Sequence, residues 1–339
     1  MNMIRHLKWF FILFLILGIF SCSKSEHPPK VDHISVQVNI TPFYEDLFSF
    51  PSDSLEENLP YLKEKYGDYF VKYCTGVIGT GHPTEEGFVK NMKTFLSYEP
   101  NQEVLDSVRL VFDDTKWLKD ELEEGFKYHK YYFPESLEPN NIYLHISGFN
   151  QSVVVDSTWL SVSVEKYLGS NCIFYEWLSI PVYLRRGMIP EKVTPDIFKA
   201  MAMSDYPYST TTDHLLNQMV YQGKILYYVK QMVPFLEDTL LFNYSLDQLK
   251  WVRKNESYMW ASVVERKHLF STDRMIIQRY VGESPFTYFF GQDSPGQTGY
   301  YLGYQIVQSF MKRHPEVSLS DLMMMKDGQE LFTQSGYRP

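Results

Sequence analysis

NIYLHISGFNQSVVVDSTWLSVSVEKYL, residues 141–168, interrupts a chain that otherwise reads largely as helix. Ile142, Leu144 and Ile146 fall at every second position, and Leu160, Val162 and Val164 alternate with Ser161, Ser163 and Glu165. A period of two sends the apolar set to one face of a strand and the rest to the other. Asp156-Ser157-Thr158 supplies turn chemistry between the runs 151–155 and 159–164. The stretch predicts three strands, 141–149, 151–155 and 159–164, paired as an antiparallel piece.

Moving upstream, residues 31–40 also alternate, with Ile34, Val36, Val38 and Ile40 against Ser35, Gln37 and Asn39, which predicts a half-buried strand. From 41 to about 125 the spacing turns helical. Tyr61, Leu62, Tyr66, Tyr69 and Phe70 recur on one face, residues 91–98 do likewise, and Thr84-Glu85-Glu86 after Pro83 reads as a helix start over 84–89. Residues 118–132 make a charged amphipathic helix. Downstream of Pro190 the pattern is helical to the end, with loops at 206–208 and 282–299. Helices, then strands, then helices predict an α+β fold: a mostly helical body with a small mixed or antiparallel sheet. No repeat or shift of composition divides 31–339, which is read as a single globular domain.

The chain has 339 residues, 44% apolar and 17% aromatic, enough to bury a core. Residues 1–8 carry Arg5 and Lys8, and an unbroken apolar run covers 9–20. Twelve such residues are short for a bilayer span and have the layout of a secretory signal peptide. Ser21-Cys22 follows at once, resembling a bacterial lipoprotein box. The expectation is a signal peptide over 1–21, a lipid on the Cys22 thiol, and a short tether over 22–30 containing His27-Pro28-Pro29. Removing Arg5 and Lys8 leaves 30 Lys and Arg against 41 Asp and Glu, a formal charge of −11. With that balance and no basic stripe, nucleic acid is not an expected partner. The membrane is expected to be held through the N-terminal lipid rather than through charge. Cys74 and Cys172 sit in apolar company and are read as buried free thiols in preference to a disulfide.

Of the nine His, no two lie three to five residues apart, so the helical pair used by zinc hydrolases is missing. A nucleophile elbow and a phosphate-binding glycine loop are missing too, and Cys74 and Cys172 lack metal spacing. Glu256 and Trp260 share a helical face, and Glu256 with Glu265 raises a glycosidase pair; a packed face with surface ion pairs is the preferred reading. Ser294, Pro295, Gly296 and Gly299 form a loop entering a helix at 300–311. It is read either as the lining of a ligand pocket or as a structural turn. No catalytic, metal or cofactor-binding residue is expected.

Five blocks together carry a resemblance: FYEDLF (43–48), YLKEKYGDYF (61–70), LSVSVEKYLG (160–169), MVYQGKILYY (219–228) and SPGQTGYYLG (294–303). In this order, behind a lipoprotein start, they resemble the GldB family, the gliding-motility lipoproteins of Bacteroidota. The resemblance spans nearly the whole mature chain. It implies a distant likeness to zincin-type zinc proteases, in which one helix carries two His and a catalytic Glu and a second carries a Glu ligand before Gly. Here PDIFKAMAMS (195–204) stands at the first helix with neither His nor Glu, and Gln222-Gly223 stands at the Glu-Gly of the second, a helix over 213–229. The resemblance therefore implies a zincin-like body without its metal site, with Gln222, Gly223 and Lys224 as inherited positions and Gly223 allowing close helix packing. It also implies a lipid-anchored, periplasm-facing protein of the inner or outer membrane. That protein would be a non-catalytic accessory of gliding motility or the associated secretion machinery, with other envelope proteins as partners. The alternatives are a divergent zinc-dependent peptidase drawing on His145, Glu165, Glu176 or His214, and a glycan-binding surface lipoprotein with an aromatic platform.

Overall fold

The computed structural model describes residues 28–51, 54–136 and 139–339. The signal peptide over 1–21, Cys22 and most of the 22–30 tether lie outside the described residues. Four strands form one mixed sheet: β1 (Asn39–Pro42), β2 (Asn141–His145), β3 (Val153–Val155) and β4 (Trp159–Ser163), in the order β1-β2-β4-β3. β1 and β2 are parallel, β2 and β4 are parallel, and β3 and β4 form the antiparallel hairpin. Asp156 Oδ1 accepts from the Thr158 N–H in its turn.

Two sequence expectations are corrected here. The strands of 141–164 are not all antiparallel. Between β2 and β3 the chain turns through Gly148 and Phe149, both with positive φ (69° and 66°), and swings out to the far edge of β4. β2 and β4 then run in the same direction. The strand expected over 31–40 also shrinks to its last two residues and continues to Pro42. Its partner β2 begins only at Asn141, opposite Asn39, so the residues before it have nothing to pair with. Val38 instead donates its N–H to Glu123 on a helix.

The link from β1 to its parallel neighbour β2 is a long helical crossover, as parallel pairing requires. It comprises α1 (Phe43–Ser49), α2 (Leu55–Lys72), α3 (Phe88–Ser97), α4 (Glu99–Val111) and α5 (Lys116–Tyr132). The helix expected over 84–89 is displaced. His82 and Glu85 close a turn, with the Glu85 carboxylate accepting the His82 N–H, and helix begins only at Phe88.

The pleat divides the interior in two. Ile142, Leu144, Leu160 and Val162 enter the larger core. Trp159 on the opposite face enters a smaller aromatic core with Phe43, Leu62, Tyr69, Phe70 and Tyr73, and Tyr143 packs against it. Tyr69 stacks on Tyr143 at 3.9 Å and meets Trp159 edge-on at 4.9 Å. This second face carries buried polar groups: His145, whose burial holds its imidazole down at about 3, Ser161 and Ser163.

The larger core is wrapped by α6 (Val193–Asp205), α7 (Leu215–Met232), α8 (Arg274–Val281), α9 (Thr298–Arg313), α10 (Leu319–Met324) and α11 (Gly328–Ser335). α7 buries most of its length, as a helix enclosed by others must. The His214 ring nitrogen caps it by accepting the Asn217 N–H at 3.2 Å.

Candidate functional site: a polar cleft beside a buried helix

α7 has different work on each flank. Toward α9, Gly223 meets Gly303. A Cβ on Gly223 would lie 2.3 Å from the Gly303 backbone, and a Cβ on Gly303 would lie 1.8 Å from the Met219 carbonyl oxygen. Only glycine at both positions lets the two backbones come this close. Tyr227 and Tyr304 continue the contact one turn on, 6.2 Å apart.

Toward α10, Lys224 runs its stem through the core and donates to the carbonyls of Met323 (3.1 Å) and Met325 (2.5 Å) at that helix's end. These are carbonyls a helix terminus leaves without an internal partner. Burial pushes the Lys224 ammonium down to about 8.

On its third flank α7 faces a cleft of about 760 Å³, within the range of small-ligand sites. Gln218, Gln222, Leu226 and Val229 form its floor at helical spacing. α6 contributes Pro195, Asp196 and Lys199; the chain after β4 contributes Lys166 and Tyr167; α8 and the loop beyond it contribute Gln278, Glu283 and Gln297; α9 contributes Tyr300. Lys192 bonds Asp196 at 3.1 Å and the Leu240 carbonyl at 3.1 Å, and the Tyr167 hydroxyl donates to the same Asp196 at 3.2 Å. Lys199 reaches over the Tyr300 ring, 6.0 Å from its centre. Burial lowers the pKa of both Lys166 and Lys199, and burial aided by Glu283 pushes the Tyr300 phenol up to about 12.

The shape of the cleft wall near Phe149 depends on Glu165. This wholly buried carboxyl accepts through Oε1 from the Ser147 N–H (2.7 Å), the Phe149 N–H (3.0 Å) and the Ser163 hydroxyl (2.9 Å). It thereby pins the left-handed turn that sends the chain toward β3. Burial raises its pKa against the pull of those donors.

The positions singled out from sequence land in different places. Gln222 faces the cleft, Gly223 the α9 seam, and Lys224 the α10 end. Ser294 lies inside its own loop, bonding the Gly291 carbonyl at 2.7 Å and accepting the Thr287 N–H at 3.1 Å. Pro295 accepts from the Thr287 N–H and hydroxyl, both at 2.9 Å. Gly296 abuts the Ser284 carbonyl, where a Cβ would come within 1.9 Å. Gly299 packs against Tyr280 and Val281. Pro295 and Gly296 border only a small hollow of about 30 Å³, room for a single water. From this loop it is Gln297 that reaches the main cleft.

His145 and Glu165 are core groups, Glu176 pairs with Arg185 at the surface (3.3 Å), and His214 caps α7. Among the described residues no group of three or more His, Cys, Asp or Glu side chains is placed to hold a metal ion. Glu256 accepts from the hydroxyls of Tyr301 and Tyr337, both at 2.8 Å, which ties its helix to α9 and the C-terminus. Cys74 and Cys172 are both free thiols.

Sequence reasoning missed Lys166, Lys199 and Tyr300. Lys199 left one signal, a lone cation in the apolar run FKAMAM.

The fold is thus an α+β body built around one long buried helix, with a polar cleft along that helix. The chain belongs to the gliding motility protein GldB family, whose model matches residues 24–339. Neither the curated proteins nor the solved structures yield a match. Membership makes the chain a gliding-motility-related lipoprotein of the cell envelope. No helix among the described residues is long and apolar enough to cross a membrane.

Proposed function

We propose that the chain is a non-catalytic accessory of the gliding machinery, or of the secretion machinery associated with it, and that it acts by engaging another envelope component along the α7 cleft. The observation that carries this reading is the chemistry facing the cleft from α6 and α7. Lys199, Gln218 and Gln222 are binding groups; the lining holds no histidine, the α7 floor holds no carboxylate, and the α6 carboxylate in the lining, Asp196, is already engaged by Lys192 and Tyr167. A zincin-like ancestry whose metal helix has become PDIFKAMAMS accounts for a deep cleft with such a lining. A second feature supports a protein partner. The segment whose Ile180, Leu184 and Met188 wall the cleft exposes Trp177 (62%), Leu178 (50%) and Val182 (75%) on its outside, more apolar surface than a solvated loop needs.

The test is a photo-crosslinking residue at Gln222, run in whole cells, with Glu57 on the far side of the sheet as control. Discrete, recurring adducts with envelope proteins from Gln222 and none from Glu57 are expected. Equal labelling from both sites would defeat the reading. The anchor is tested separately. Cys22→Ala should leave the precursor uncut and unlipidated, and normal acyl labelling of that variant would refute lipid attachment at Cys22.

A further inference from the structure

Lys199 poses a physical problem. Its amine sits in a half-buried position, and among the described residues no hydrogen bond or ion pair holds it; the Tyr300 ring centre lies 6.0 Å away, and the Asp196 and Glu283 carboxylates act on it only through space. Asp196, three residues earlier on the same helix, is already engaged by Lys192 and Tyr167. An ammonium withdrawn from water without a partner is costly, and the cost is relieved when an anion joins it. Two more donors line the same cleft without a hydrogen bond among the described residues: the Gln222 amide and the Tyr300 hydroxyl.

The charge of the lining limits what the anion can be. Three lysines (Lys166, Lys192, Lys199) face two carboxylates (Asp196, Glu283), and no arginine is present. Phosphate sites favour the forked guanidinium and a larger positive excess. A dianion here would also meet both carboxylates. A singly charged, planar acceptor matches one ammonium that shares its cleft with neutral donors.

We propose that the cleft binds its ligand through a single carboxylate, received by the Lys199 amine with the Gln222 amide and the Tyr300 hydroxyl beside it. The carboxylate belongs either to a polypeptide end or to a small free acid. This rests on the reading of the cleft as a binding site rather than a catalytic one.

The experiment titrates the mature lipoprotein in detergent with N-acetyl-trialanine, its C-terminal amide, acetate and inorganic phosphate. Binding is followed by saturation-transfer NMR, and the peptide is recovered for mass spectrometry. The free acid should bind saturably and its amide about tenfold more weakly or worse, the loss expected for a charge-assisted hydrogen bond. Lys199→Met should weaken the acid by a similar factor, with its circular dichroism unchanged, and Lys199→Arg should retain part of the affinity. Acetate competing as well as the peptide would assign a small free acid; peptide-only binding would assign a chain end. Equal binding of acid and amide, tighter binding of phosphate, an unaffected Lys199→Met, or no saturable acid binding up to about 10 mM would each overturn the proposal. Cleaved peptide would instead overturn the non-catalytic reading beneath it.

Discussion

Two of the three flanks of α7 are built on opposite principles. Toward α9, backbone lies on backbone at Gly223 and Gly303, and no added atom fits. Toward the cleft, Gln218 and Gln222 face about 760 Å³ of open space. One helix therefore serves as a fixed spine on one side and as the floor of a site on the other. The difference teaches where tolerance lies: changes on the spine should act on stability, and changes on the floor should act on binding.

The largest effect is expected at the seam. Gly303→Ala places a methyl 1.8 Å from the Met219 carbonyl oxygen, a backbone atom that cannot swing aside. It should cost about 3 kcal/mol or more, at or above the usual range for overpacking. Urea unfolding of the variant against the parent measures this. A loss below about 0.5 kcal/mol, the size of an ordinary surface change, would mean the two helices are free to separate and the contrast is false.

Next comes Lys224, on the spine side but charged. Burial holds its folded pKa at about 8, below the ordinary lysine value of 10.5. Between those values the unfolded chain binds more protons than the folded one, so this residue makes stability rise with pH across that window. The full rise is about 3 kcal/mol. Lys224→Met should remove it, and should also cost about 1–3 kcal/mol by leaving the Met323 and Met325 carbonyls without a donor. Melting curves of both proteins at pH 7.5 and 10, compared as differences, separate the Lys224 contribution from that of other titrating groups. Parallel pH profiles would show that Lys224 does not feel its burial.

The smallest stability effect belongs to the floor. Gln222→Ala should shift unfolding by less than about 0.5 kcal/mol, while lowering the yield of partner adducts from a crosslinker placed nearby at Gln218. A variant that loses stability but keeps its adducts would reverse the assignment of the two flanks.

How far the sequence discloses this arrangement differs from part to part. The alternation of 141–146 and 159–164 and the Asp156 turn mark the strands because a period of two survives in any pairing. It is silent about direction, so the parallel match of β2 with β4 depends on the turn at Gly148 and Phe149 that Glu165 holds from 16 residues away. The alternation of 31–40 promised a longer strand than the five-residue β2 can accept. Gly223 stands out as a glycine inside an apolar helix, yet its counterpart Gly303 lies on another helix far along the chain, and only the fold pairs them. The loop 294–299 reads equally as turn or pocket because proline and glycine serve both; its own hydrogen bonds make most of it a turn, with Gln297 as the exception. The cleft was the least legible part. Lys166, Lys199, Gln222 and Tyr300 come from four separate elements, and no spacing relates them.

Metal content tests the account most directly. Residues 23–339 are purified, dialysed against trace zinc, and the metal per chain is counted by mass spectrometry. A cleft built for binding and supported by glycine packing predicts no tightly retained metal. One zinc held per chain would contradict it, and would make α6 and α7 the walls of a working hydrolase.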